Sequence, residues 1–528
     1  MLLSPAGKNG IALAAICLIA LMFGLEISSV PVILPSLEGA LHADFSDMQW
    51  TMNAYTLACT TVLMAAGTLA DRYGRKRMLV VGVVLFGLTS LVCGLAQNAS
   101  VLVASRFLQG LAGGAMLICQ LAVLSHQFQQ GPARSKAFAI WGVVFGMGLG
   151  FGPIVGGAIV ALSSWQWVFL IHAPLAAIAL ALVAVSVQES SDPDAQRLDL
   201  PGIVTLSLAV LGLTYFITQG PALGFASPAA LGILGASAAS FALFVWVEKT
   251  HPHPMFDFSV FRVRNFSGAL FGSVGMNFSF WPFMIYLPIY FQGALGYDAV
   301  TAGTALLAYT LPTLVLPPLA ERLSLRYRPG VVIPMGLFVI GLGFIAMRYG
   351  IGLSMANAAS VSSGLAVLPG CLLAGIGLGL TNTPVTNTTT GSVPSTRAGM
   401  ASGMDMSARL ITLAINIALM GFILLEGIHA QLRGALSASL DAPQLRALAQ
   451  KIAAGNFASL SDSFPALSQA DPSGATVHAA LVHGFGLVML YGGVGVWLLA
   501  GLSWLVFGSG KSAREKACGL TTEKPACP

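Results

Sequence analysis

Glu26, Arg106, Asp405 and Arg409 are charged side chains set within long apolar stretches. A charge buried in a bilayer-length apolar segment costs several kcal/mol unless it is paired or hydrated, so each is a candidate functional group. Glu26 lies in Phe23-Gly24-Leu25-Glu26-Ile27-Ser28-Ser29, and as an isolated carboxyl it can load and release a proton near neutral pH. It can equally attract a cationic substrate or be a satisfied structural group. Arg106 is followed three residues later by Gln109, on the same helical face, and then by Gly110, Gly113 and Gly114, which let a second helix approach closely. The alternative for Arg106 is a structural hub that binds backbone carbonyls. Asp405 and Arg409 are one helical turn apart and can pair, so Asp405 is either a second proton carrier or the neutraliser of Arg409. His172, near the outer part of the sixth run, can titrate near neutrality but reads first as a structural histidine. Glu26, Arg106 and Asp405 are thus the candidates for proton coupling, and Glu26, Gln109, Asp405 and Arg409 the candidates to face a substrate. No nucleophile–base set or metal-ligand spacing is present, so neither catalytic nor metal residues are assigned.

The elements that carry these groups are apolar runs of bilayer length. Hydrophobic residues make up 56% of the 528 and charged ones only 9%, against roughly 25% charged in soluble domains. Runs fall near 10–34, 48–70, 78–97, 101–125, 137–162, 167–187, 201–219 and 228–248, then near 266–292, 300–320, 331–349, 362–390, 399–425 and 482–507. A run of about 20 apolar residues crosses a bilayer. The expected fold is an all-α integral membrane protein with 14 spans, the first run being a span rather than a cleaved signal. Basic residues, led by Arg72, Arg75, Lys76 and Arg77, gather in alternate loops, which places both termini in the cytoplasm. The polar segment 427–481 then lies outside, as a loop with one or two short helices. Five cysteines sit in apolar runs, and Cys518 and Cys527 in the tail, in no zinc or disulfide pattern.

A second class of candidate moves rather than binds. In Gly67-Thr68-Leu69-Ala70-Asp71-Arg72-Tyr73-Gly74-Arg75, an acid, a glycine turn and basic residues join the second and third runs. Asp71 can accept from helix N-termini and pair with Arg72 or Arg75 as a latch, while the basic residues can also anchor the loop to anionic lipid. Leu319-Ala320-Glu321-Arg322 repeats the pattern after the tenth run. Two related six-helix halves follow, 1–190 and 251–510, with a two-helix insertion at 191–250 and a cytoplasmic tail at 511–528. Gly148, Gly152, Pro153, Gly156 and Gly157 make a close-packing face and a bend, read as a pivot between the states. There is no Gly-x-x-x-x-Gly-Lys-Ser/Thr loop for nucleotide, so energy comes from an ion gradient or from the solute's own.

These motifs resemble the major facilitator superfamily, and within it the fourteen-span drug:proton antiporters. The resemblance rests on the 67–77 loop, on Arg106–Ala115, and on Gly148–Gly157, which is similar to the fifth-span antiporter motif. It rests also on Trp50–Tyr55, on Trp165–Pro174 and on Ala398–Gly403. It implies proton-coupled export of small amphipathic compounds, with a carboxyl in the first span and the Arg of the fourth in coupling. It implies the cell inner membrane, protons, solute and lipid as partners, no cofactor and no nucleic acid, and leaves a periplasmic adaptor and outer-membrane channel open. Glu26 stands where that branch usually has Asp, Gln166 and His172 where it has Arg and Asn, and Asp405 where Asn is common. A carrier for one metabolite and a non-transporting membrane sensor are the other readings.

Overall fold

The structure, a computed structural model, describes residues 5–508 apart from 129–130, 192–198, 251–257, 357–365, 394–397, 438, 456 and 458–459. The predicted tail 511–528 lies outside the described residues. Within them the chain is helical, without strands. The helices are α1 (Pro5–Leu41), α2 (Phe45–Tyr73), α3 (Arg75–Gly94), α4 (Ala99–Gln127), α5 (Gly131–Leu162), α6 (Gln166–Leu170) and α7 (His172–Ser186). Then come α8 (Leu200–Leu223), α9 (Pro228–Thr250), α10 (Arg264–Phe278), α11 (Phe280–Ile289), α12 (Ala299–Val315), α13 (Pro317–Tyr327), α14 (Pro329–Ala356) and α15 (Leu368–Gly391). The chain closes with α16 (Ala398–Leu436), α17 (Ala442–Ala454), α18 (Leu460–Ser463), α19 (Pro465–Ala470) and α20 (Ala475–Phe507).

Among the described residues 12 helical segments are long and apolar enough to cross a membrane, or 13 if the bent pair α12–α13 counts as one span. The fourteen expected from the sequence is not reached. At 29 residues α2 has the length, but Asp47, Gln49, Asn53 and a run of threonines lower its apolarity. The outer face of α3 shows why the bundle needs lipid: Val81, Leu85, Leu88 and Val92 line one stripe and are exposed. In water such a stripe would have to be covered; in acyl chains it is already solvated.

Prolines decide where spans break. Pro174 cannot donate to the carbonyl of Leu170, and the expected sixth span is divided into α6 and α7 at Ile171. Pro282 likewise removes the bond to Phe278 at the break between α10 and α11, and Pro317 starts α13 at 47° to α12. Pro153 sits inside α5 without dividing it. Side chains start the helices: Asp44 and Asp47 form a capping box on α2, Asn98 accepts from the Val101 N–H at 2.9 Å, and Asp298 accepts from Thr301 at 2.7 Å.

Helix α1 packs along α5 and α7, α2 along α4, and α3 on α4 and α7. Farther on, α14 packs on α15 and α20, α10 on α15, α16 and α20, and α12 on α15. The two sets meet where α5 lies on α12, α2 on α16 and α1 on α11. The hairpin α8–α9 leans on this seam, α8 touching both α2 and α16. At the end away from Arg72–Arg77, one continuous core joins Val32, Leu37, Met48 and Trp165 to Ile285, Leu306, Leu425 and Leu448. Toward the basic end, α1–α7 keep a separate core around Ile16, Leu63, Leu79, Met116 and Val183.

The segment expected to loop out over 427–481 is shortened on both sides, because α16 runs on to Leu436 and α20 begins at Ala475. Between them lie three short helices. The periodicity of 441–455 becomes α17, started by the Asp441–Gln444 capping box and stopped by Gly455 at φ +85°. Its buried face (Leu445, Leu448, Ile452) lies against α16 and α20 and also against α1 and α2.

Candidate functional site

Arg106 is fully buried, and the glycines after it explain how. A Cβ at Gly110 would stand 2.3 Å from the Tyr55 carbonyl oxygen, and one at Gly114 3.0 Å from that of Cys59. Only glycine lets α2 lie this close to α4. The contact brings the Thr51 carbonyl to Arg106 Nε (3.0 Å) and the Tyr55 ring to 4.3 Å from the guanidinium carbon. Arg106 Nη1 donates to Glu26 Oε1, across from α1, and to Gln109 Oε1 at 2.6 Å. Gln109 Nε2 donates to Ser90 Oγ at 2.8 Å, and Ser90 to the Phe86 carbonyl at 2.6 Å. Arg106 therefore ties four helices together.

This corrects the reading of Glu26 as an isolated carboxyl. It is fully buried in an ion pair with Arg106, and its other oxygen faces His172 Nδ1 at 3.4 Å. The proline break between α6 and α7 sets His172 at the start of α7. From there its Nε2 lies 3.2 Å from the Met22 carbonyl and its ring meets Phe86 edge-on. Sequence reasoning weighed a titrating His172 against a structural one and favoured the structural role, without linking it to Glu26. The signal available was its departure from the Asn usual in the antiporter branch that the segment Trp165–Pro174 resembles.

A small cavity of ≈ 40 Å³ lies between the two helix sets, walled by Phe23, Ile27, Tyr55 and Arg106 on one side and by Trp281 and Leu410 on the other. Of the charged candidates only Arg106 reaches its wall. Glu26 and Gln109 stand behind it. Asp405 and Arg409 form a separate cluster in the second set, where Arg409 Nη2 is 3.0 Å from Asp405 Oδ2 and Nη1 donates to Asn382 Oδ1 at 2.7 Å. Ser273 Oγ donates to Asp405 Oδ1, so the carboxylate is both paired and hydrogen-bonded. Among the described residues no hydrogen bond or ion pair joins the two clusters.

The glycine face of α5 seats that helix on α1. A Cβ at Gly148 would be 2.9 Å from the Leu21 carbonyl oxygen, one at Gly152 1.7 Å from Ser28 Oγ, and one at Gly156 2.8 Å from the Ser29 Cβ. Ser28 Oγ donates to the Gly148 carbonyl at 3.0 Å. On its other side α5 meets the second set, with Gly157 against the Ala299 carbonyl and Pro153 against Gly303.

The stretch 67–77, expected to be a loop, is helix on both sides of Gly74, whose φ of +114° makes the turn alone. Gly67 lies in α2, 3.5 Å from Ile118 by an added Cβ. The side chain of Asp71 lies outside the described residues. The acid at the turn is instead Glu189, just beyond α7, which accepts from the Lys76 and Arg77 N–H groups at 3.0 and 3.1 Å. Its charge complements the N-terminal end of α3. Arg75 N–H donates to the Ser190 carbonyl at 2.8 Å, and Arg72 lies over the Tyr73 ring. In the repeat, Glu321 accepts from Asn387 Nδ2 at 2.7 Å. Sequence reasoning also passed over Arg348, whose Nη1 donates to the Gly486 carbonyl at 2.6 Å and joins α14 to α20.

Apolar helices of membrane length, with buried ion pairs, define a multi-pass membrane protein. The comparisons with known proteins give it a family. The Major Facilitator Superfamily model matches residues 16–415, and the chain belongs to that superfamily. It is 31% identical over 425 residues to the multidrug resistance protein Stp of Mycobacterium tuberculosis, covering 80% of this chain and 78% of the other. It is 30% identical to the tetracenomycin C resistance and export protein of Streptomyces glaucescens, covering 79% and 76%. It is 26% identical to the quinolone resistance protein NorB of Staphylococcus aureus, covering 79% and 88%. Among solved structures, a bacterial homologue of the human lysosomal transporter Spinster superposes with a TM-score of 0.59 at 14% identity, over 95% of this chain and 97% of the other. The xylose transporter XylE of E. coli does so with 0.53 at 14% identity, over 78% and 93%.

Proposed function

We propose that the protein exports small amphipathic or cationic compounds, drugs and antiseptics among them, in exchange for protons by alternating access. The observation that carries this reading is the buried Glu26–Arg106 pair set against the wall of a cavity that both helix sets share. A buried carboxyl group there can take up and release a proton, and a cationic solute beside Arg106 and Tyr55 opposes the added positive charge. Proton binding and solute binding then oppose each other, which is the free-energy coupling that antiport requires. The apolar and aromatic wall suits broad specificity, since it carries few directional polar groups. Resistance and export proteins among the relatives support the direction.

In this reading residues 1–190 and 251–510 are the two moving halves, 191–250 is an added hairpin, and the protein sits in the cell inner membrane with both termini cytoplasmic. Asp71, Arg72, Gly74 and Arg75 latch the cytoplasmic face, Gly148, Gly152, Pro153, Gly156 and Gly157 form the pivot, and Asp405 is a further proton carrier. The test is proton movement in energised inverted vesicles while cationic dyes, antiseptics and antibiotics are added. Wild type is expected to release protons on addition of a substrate, and inserted Glu26→Gln and Arg106→Ala variants to release none. An inert wild type across the panel overturns the reading in favour of a carrier for one metabolite or a sensor.

A further inference from the structure

The Met22 carbonyl can only accept, so the His172 nitrogen 3.2 Å from it, Nε2, carries a hydrogen. In a neutral ring that leaves a bare lone pair on Nδ1. This atom faces Glu26 Oε2, also a lone-pair atom, at 3.4 Å, and neither has a hydrogen-bond partner. Both side chains are buried, so water does not separate them. Two acceptors facing each other without solvent are unfavourable, and one proton between them satisfies both.

We infer that Glu26 and His172 form a single proton-binding site, one proton lying between Glu26 Oε2 and His172 Nδ1. Arg106 holds the other carboxylate oxygen and so keeps the pair oriented. The charges account for the site's two states. Empty, Glu26 and Arg106 cancel; loaded, the cluster carries one positive charge with no bond broken. Among the described residues, other titratable side chains in the field of Glu26 are Tyr55 and Cys59 from α2 and Cys93 from α3, beside Arg106 from α4. Phenol and thiols hold their protons more tightly than a carboxyl or imidazole, and arginine more tightly still, so the carboxyl–imidazole pair is the one suited to exchange a proton. A cation entering the cavity that Arg106 lines repels the loaded charge and favours its release. This last consequence rests on the antiport reading; the proton site itself does not.

The test is a pH titration by nitrogen-15 NMR of the full chain in nanodiscs, with histidine labelled. The His172 signals among the 8 histidines are assigned by their loss in His172→Asn, or in His172→Gln if that variant does not insert. The ring is expected to carry hydrogen on both nitrogens at low pH and on Nε2 alone at high pH, and Glu26→Gln is expected to move this transition by about tenfold or more in proton affinity. A ring that bears its hydrogen on Nδ1 at high pH, or a transition unmoved by Glu26→Gln, overturns the site. Vesicle transport gives the second readout, in which the His172 variant retains dye binding while the pH profile of substrate-triggered proton release moves. An unchanged profile also overturns it. If wild-type vesicles move no protons while the NMR transition responds to Glu26→Gln, the antiport reading fails and the proton site stands.

Discussion

Glu26 and Arg106 stabilise the bundle only as a pair. Removing one partner of a buried ion pair leaves an uncompensated charge and costs about 3–5 kcal/mol, whereas replacing both by apolar groups of similar volume is often neutral. Glu26→Leu and Arg106→Met are therefore each expected to lower the melting temperature in detergent. The double variant is expected to melt above either single one and still to lack proton coupling. A double variant that melts lower than both would mean that the two side chains do not share their energy. Asp405 differs, because its contact with Arg409 lies along one helix and Ser273 adds a hydrogen bond from α10. Neither the Gln109 amide nor the Ser90 hydroxyl is charged, yet both belong to the network that holds the guanidinium in place.

Helices meet where side chains are missing. The seam between α1 and α5 has no room at Gly152, where a methyl would enter Ser28, while Gly142 on the same helix has nothing within 4 Å. Gly152→Ala is thus expected to lose most transport and Gly142→Ala to retain it. Adding Ser28→Gly to Gly152→Ala returns the missing space and is expected to restore activity in the vesicle assay. Equal loss at positions 142 and 152 would show that helix propensity, not close approach, is what glycine supplies here. Proline acts in the opposite sense, by removing donors. The break it forces at Ile171 sets the angle at which α7 begins, and with it the position of His172.

At the scale of the whole molecule, one end is closed. The two helix sets share a core away from the basic residues and keep separate ones toward them. Helix α17 lies across the closed end, where a Cβ at Gly455 would stand 3.6 Å from the Cβ of Pro35 on α1. That separation suits a disulfide. Cysteines at 35 and 455 are expected to cross-link on oxidation and stop transport, with recovery on reduction, even though a cysteine at the positive φ of 455 carries some strain. Full transport by the cross-linked protein would mean that the closed end need not open there.

Much of this was legible in the chain itself. Apolar runs of bilayer length dictate a helical membrane protein, because a backbone in lipid must satisfy its own hydrogen bonds. Motif glycines and buried charges marked Arg106, Glu26 and the α5 seam, and spacing alone predicted the Asp405–Arg409 pair, since residues four apart share a helix face. What joins residues from different helices was not legible: Glu26 with Arg106 and His172, Glu189 at the start of α3, Arg348 on α20, and α17 across both sets. Such contacts depend on the rotation and depth of each helix against its neighbours, which prolines and glycines set locally and only the packed bundle combines. Sequence determined which charged groups lie within membrane-length helices; the tertiary structure decided which of them face one another.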